Sequence, residues 1–136
     1  MKTILFLGAL LISSTFAFSQ TDASVTKNGP LLTFEENTFD FGTIAQGDKV
    51  DHVFKFTNTG NESLIITNIQ VTCGCTAPAW PRHPIPAGEK GEIKVVFNSS
   101  GKMGNQNKVV TVVSNAANDD NRITFTASVV AQKDPQ

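Results

Sequence analysis

The sequence predicts an all-β domain, a two-sheet sandwich of about seven strands. Three observations carry this reading. Two segments alternate apolar and polar residues with period two. Turn clusters rich in Asn, Asp and Gly separate the apolar runs at short intervals. No stretch after residue 30 keeps a helical period.

The chain has 136 residues, enough for one domain. Its first nineteen residues differ in kind from the rest. Lys2 is followed by the apolar run 4–12 (ILFLGALLI), and then by small and polar residues up to Ser19. This charged, apolar, small-residue order is that of a secretory signal peptide, expected at residues 1–19. The run falls short of the roughly 20 residues that a membrane-spanning helix needs. No cysteine precedes Cys73, so cleavage would not create an N-terminal cysteine for a lipid anchor. Residues 20–30 read as a flexible leader, 31–131 as the domain and 132–136 as a tail. Without Lys2, ten basic residues face twelve acidic ones, a charge of about −2. No basic block exists, and this disfavours nucleic-acid binding. The composition therefore points to export, periplasmic or extracellular, with no transmembrane span.

Each strand has its own signal. Residues 31–35 and 38–44 are short β-rich runs around Glu36-Asn37. Val50, His52, Phe54 and Phe56 then share one face, and Asp51, Val53, Lys55 and Thr57 the other. After the turn 58–61, Leu64 and Ile66 have one parity while Ile69 and Val71 have the other. A bulge near Thr67-Asn68 would bring both pairs to the core. Residues 77–88 hold Pro78, Pro81, Pro84 and Pro86. They cannot form a central strand, because proline lacks the ladder donor, and they read as an edge crossover or loop. Ile93, Val95 and Phe97 alternate with Glu92, Lys94 and Val96. Residues 99–105 read as a loop, 108–113 as a buried strand and 115–121 as a polar turn. In the last strand Ile123, Phe125, Ala127 and Val129 alternate with Arg122, Thr124, Thr126 and Ser128. The expected core is Phe39, Phe41, Phe54, Phe56, Leu64, Ile66, Ile93, Val95, Phe97, Val110, Val112, Ile123 and Phe125.

About seven strands in roughly 100 residues fit an immunoglobulin-like sandwich. The chain has no tyrosine, hence no tyrosine corner, and its two cysteines are two positions apart, so they cannot bridge the sheets. The order Phe39-Asp40-Phe41-Gly42-Thr43-Ile44, Phe54-Lys55-Phe56-Thr57-Asn58-Thr59-Gly60, Cys73-Gly74-Cys75-Thr76, Ile85-Pro86-Ala87-Gly88-Glu89 and Ile93-Lys94-Val95-Val96-Phe97 resembles the bacterial domain of unknown function 1573. The resemblance runs over residues 34–130. That family is common in secreted Bacteroidetes proteins and is similar to the immunoglobulin-like domains of the hydin and abnormal-spindle group. The resemblance implies a seven-stranded sandwich and export. It implies no activity and supplies no catalytic motif.

Cys73-Gly74-Cys75 is the strongest chemical feature. In an extended strand, positions i and i+2 face the same way, which sets the two sulfurs side by side. Three readings follow. One is a disulfide in an oxidising compartment, easily reduced because its loop is tiny. Another is a soft-metal site for copper or zinc, with His83 or His52 as a further ligand. The third is a pair of small buried side chains. The usual zinc spacing of two to four residues between cysteines is not met, so no metal or other cofactor is assigned. His52 reads as a partly buried structural residue on the core face. Trp80, the single tryptophan, lies in an apolar proline loop and reads as a cover for the core's end or as a partner contact. Asn118, Asp119, Asp120 and Asn121 could offer oxygens to calcium, but a hairpin turn explains them. Asn61 and Asn98 open Asn-x-Ser triplets, which occur often by chance.

No Gly-x-Ser-x-Gly elbow, phosphate loop or His-Glu-x-x-His occurs. The expected function is a non-enzymatic interaction or scaffold module with a protein or cell-envelope partner. The alternative is redox or metal handling at Cys73 and Cys75. A cysteine nucleophile assisted by His83 is a third reading.

Overall fold

The computed structural model describes residues 28–119 and 121–132. The expected signal peptide at residues 1–19, most of the leader and tail, and Asp120 lie outside the described residues. Those described contain eight strands: β1 (Leu32–Phe34), β2 (Thr38–Ala45), β3 (Lys49–Asn58), β4 (Ile66–Val71), β5 (Thr76–Ala79), β6 (Lys90–Asn98), β7 (Gly104–Ser114) and β8 (Arg122–Val130). They form two four-stranded sheets, ordered β1-β3-β6-β5 and β2-β8-β7-β4. All pairings are antiparallel except β2 with β8.

The alternation read from the sequence sets which faces meet. In β8, Ile123, Phe125, Ala127 and Val129 are buried, while the intervening positions are not. In β6, Ile93, Val95 and Phe97 are fully buried, and in β3 Phe54 and Phe56 are. Phe97 and Phe125 meet across the two sheets with centroids 5.5 Å apart. Fully burying a phenylalanine contributes about 1.5–3 kcal/mol. Phe54, Phe56, Phe97 and Phe125 are all fully buried and dominate the core. The bulge expected near Thr67-Asn68 is present as a register shift between Ile66 and Asn68, and it leaves both Ile66 and Ile69 buried.

Four expectations need correction. The strands number eight among the described residues, because the start of the proline-rich segment is itself a strand. β5 pairs with β6 at the sheet edge, with Pro78 opposite Val95. Asn98 N–H donates to the Cys75 carbonyl at 2.9 Å, so Cys75, Ala77 and Ala79 aim their backbone at β6 and Pro78 aims away. The missing donor of Pro78 therefore costs the ladder nothing. Second, β7 begins at Gly104, within the segment expected as a loop. Third, Phe39 and Phe41 are only partly buried, on the edge strand β2, while Leu32, Ile44, Ile69, Ile85, Ala127 and Val129 join the core. Fourth, the end of the leader belongs to the domain. Gly29 and Pro30 are buried, and Gly29 N–H donates to Asn61 Oδ1 at 2.7 Å.

Two polar residues hold the loops. Asn58 is fully buried with every group paired. Its Oδ1 accepts from the N–H groups of Leu31 (3.2 Å) and Gly60 (3.1 Å), and its Nδ2 donates to the carbonyls of Glu62 (2.7 Å) and Ile85 (2.9 Å). Its own N–H donates to the Glu89 carbonyl, and its carbonyl accepts from Gly88 N–H. At the other end, the buried Ser99 hydroxyl lies 2.9 Å from the Ala45 carbonyl and 2.8 Å from that of Asp48, and donates to one of them. Gly60 sits where a Cβ would run into the Gly29 carbonyl and the Leu31 nitrogen.

Asn58→Ala leaves the N–H groups of Leu31 and Gly60 and the Glu62 carbonyl without their partner, while the Ile85 carbonyl keeps only its bond from Leu64 N–H. It is expected to cost about 3 kcal/mol, read as a lower urea midpoint at unchanged m-value. Gly60→Ala is expected to cost about 2–3 kcal/mol in the same titration, because the neighbours it would displace are backbone.

Candidate functional site

Of the expected site residues, Cys73, Cys75, Trp80 and His83 flank the edge strand β5. β4 ends at Val71 in one sheet, and β5 begins at Thr76 in the other. The chain must cross between sheets in four residues, and Cys73-Gly74-Cys75 makes that crossing. A disulfide joins Cys73 to Cys75, with a Cα–Cα distance of 5.3 Å. Cys75 packs against the core, and both sulfurs lie beside the buried Thr76 hydroxyl, at 3.8 Å and 3.9 Å. Thr76 N–H donates to the Cys73 carbonyl, which closes the turn. Both cysteines are half-buried, so the bond faces solvent on one side.

The proline-rich loop follows β5. Trp80 is half-buried and packs against the core, as a cover for that end would. The Arg82 guanidinium carbon sits 3.8 Å from the centroid of its ring, a cation–π contact. Trp80 Nε1 is buried and has no hydrogen-bond partner among the described residues. An open groove of about 440 Å³ runs beside the indole, lined by Trp80, Pro81, His83, Ile85, Lys90 and Lys94. The loop is anchored from behind by Ile85, whose N–H and carbonyl both bond to Leu64 at 2.8 Å. His83 is exposed in this groove.

In the disulfide form, the sulfurs of Cys73 and Cys75 are bonded to each other and are not free thiolates for a metal or for nucleophilic attack. No group of three His, Cys, Asp or Glu side chains is placed to hold a metal among the described residues. His52, the other histidine considered as a ligand, is engaged elsewhere. It stacks on Phe39 at 3.6 Å, meets Phe54 edge-on at 4.8 Å, and its Nε2 contacts the Glu36 carboxylate. It thus ties β2 to β3 across the open side of the sandwich.

The turn considered for calcium has a different occupation. Asn118 Oδ1 accepts from Leu32 N–H at 3.0 Å, and its Nδ2 donates to the Leu32 carbonyl at 2.8 Å. The side-chain amide takes the place of a neighbouring strand along β1. Asn121 Nδ2 donates to the Asn118 carbonyl, and Asn115 bonds both Ile65 N–H and the Ser63 carbonyl. Sequence reading missed this stapling role; the signal for it was the run of amide side chains after a strand. Asn61 and Asn98 accept from the N–H groups of Gly29 and Ser100. No helix is long and apolar enough to cross a membrane among the described residues.

No curated protein matches the sequence. Solved structures share the fold at low identity. A protein of unknown function from Porphyromonas gingivalis W83 superposes with a TM-score of 0.65 at 13% identity, over 80% of this chain and 51% of that one. The ASH / PapD-like domain 7 of human CEP192 gives 0.57 at 9% identity, over 75% and 87%. The YadV chaperone gives 0.54 at 15% identity, over 76% and 54%. The chain thus spans about half the length of the Porphyromonas protein it resembles. The sequence matches the family "Protein of unknown function (DUF1573)" over residues 32–129, nearly all of the sandwich, and the chain belongs to that family.

Proposed function

We propose that the protein is an exported, non-enzymatic interaction module that engages a protein or cell-envelope partner in the periplasm or outside the cell. The observation that carries this reading is the Trp80 loop. Tryptophan and arginine are the residue types that most often dominate binding energy. Here the Arg82 guanidinium sits over the Trp80 ring beside an open groove. Pro81, Pro84 and the Ile85–Leu64 bridge restrict the loop, so little ordering entropy is lost on docking. Export is supported by the charged, apolar, small order of residues 1–19 and by a disulfide, which persists in oxidising compartments. The PapD-like and chaperone structures that share the fold add support for protein recognition, at the level of architecture.

A photo-crosslinking residue at His83, in the chain expressed in its native host, is expected to give a discrete adduct with one envelope component. Trp80→Ala and the surface change Arg82→Glu should each lower its yield about tenfold. Adducts that are diffuse, or unchanged in both variants, would overturn the assignment.

A second reading rests on the disulfide itself. A three-residue loop restrains the unfolded chain by only about 1–2 kcal/mol, so stability alone is a modest reason to keep it. As a redox site it would cycle between the Cys73–Cys75 disulfide and two thiols, exchanging with an external dithiol. Thiol counting in a glutathione buffer series is expected to titrate two thiols per chain at a potential above about −300 mV. A bond that stays oxidised throughout that series sinks this reading.

A further inference from the structure

Sheet edges offer unpaired backbone groups to any extended chain, and this sandwich closes several of its edges with side chains. β1 is closed by the Asn118 amide on both backbone groups of Leu32. β2 is interrupted by a bulge between Asp40 and Thr43, and Gly42 there takes φ +73°. Two of its donors are capped by carboxylates: Gly42 N–H by Asp40 at 2.8 Å, and Ala45 N–H by Asp48 at 3.0 Å. β5 aims Pro78, which has no donor, at solvent, and Thr76 N–H is spent on Cys73.

The first half of β3 lacks such closure. Glu35 N–H donates to the Lys55 carbonyl, and β1 pairs Thr33 with Thr57, so the odd-numbered residues of β3 aim their backbone away from β6. Asn58 N–H donates to the Glu89 carbonyl, which assigns the even-numbered residues to the β6 side. β1 stops at Phe34. Asp51 and Val53 therefore present N–H and carbonyl groups beyond its end, with no partner among the described residues. The space there is open: a groove of about 460 Å³ is lined by Glu35, Glu36, His52, Val53 and Lys55.

We propose that this edge binds an extended segment of a partner protein, antiparallel to β3 and in line with β1, carrying a lysine or arginine opposite Val53. The backbone geometry calls for a strand, since both groups of Asp51 and of Val53 face the vacant side. The charge calls for a cation. A side chain opposite Val53 projects to the same face as Glu35 and Asp51, and Lys55 is already flanked by Glu35 and Glu92 along its row. Asp51 lies 3.7 Å from Lys94 in an exposed pair, too weak to withhold it from a second cation. A second copy of this chain fits less well: two β3 edges paired about His52 would run Lys49 into the place beside Lys55 that Glu35 already occupies. The inference rests on the interaction-module reading and assigns it a second surface, separate from the Trp80 loop.

The test uses a phage-displayed library of random heptapeptides against the purified chain, with amide hydrogen exchange as the readout. In the free protein, the amides of Asp51 and Val53 are expected to exchange fast while those of His52 and Phe54 are protected. Selected peptides should share a basic residue among β-branched ones and slow exchange at Asp51 and Val53 at least about tenfold. Glu35→Lys, an exposed change, should weaken them about tenfold, and Trp80→Ala should leave their affinity unchanged. Failure to select any peptide overturns the proposal, as does selection of peptides that leave those two amides unaffected. Protection that grows with protein concentration alone overturns the assigned occupant in favour of a second copy. Loss of this binding with the Trp80 crosslink intact would remove this surface and spare the broader function.

Discussion

Asn58 sits where four segments of chain converge at one end of the sandwich, and no apolar residue could hold them. The end of β3, the approach to β1, the turn 59–62 and the loop 85–89 all bring backbone groups inward there. Buried backbone groups must be paired, and loops lack a ladder to pair them. One side-chain amide with two acceptor sites and two donors meets four of these groups at once. The loop it fixes at Ile85 is the one that carries Trp80, so the position of the surface tryptophan depends on a buried asparagine below it. The disposition of Gly60 follows from the same convergence, since the chain there runs against the backbone of residues 29–31.

The cystine bridge performs a comparable task with less material. Between Val71 and Thr76 the chain leaves one sheet and joins the edge of the other. Joining Cys73 to Cys75 restricts the crossing, and Thr76 N–H and hydroxyl are then directed back at the turn. The crossover places β5 at the sheet edge with its proline facing outward. Edge protection and loop placement are thus consequences of one short segment.

Side-chain amides and carboxylates recur at the borders of the sheets. Asn118 imitates a strand against Leu32, and Asp40 and Asp48 cap donors along β2. On the remaining side, His52 and Phe39 close the gap between sheets by stacking, while the backbone of Asp51 and Val53 stays unpaired among the described residues. The contrast between these capped groups and the bare ones of β3 is a matter of hydrogen-bond direction. It distinguishes a surface that resists pairing from one that accepts it.

Much of this was legible in the chain by itself. Period-two alternation in β3, β6 and β8 determined which residues face inward, because a strand has two faces and the apolar one must be buried. The parity change between Ile66 and Ile69 announced a bulge. The turn clusters gave the spacing of strands, and the order of motifs placed the chain in its family. Local pattern has no access to contacts distant in sequence, and those decided the rest. Pro78 became a strand residue because β6 offered it an edge position. Phe39 and Phe41 stayed partly open because β2 ended up at a border. The amides of Asn58 and Asn118 act through partners up to 86 positions away, which no window along the sequence contains. The sheet order, parallel β2 included, follows from the packing of the two apolar faces; it determines which backbone groups are spent and which remain free.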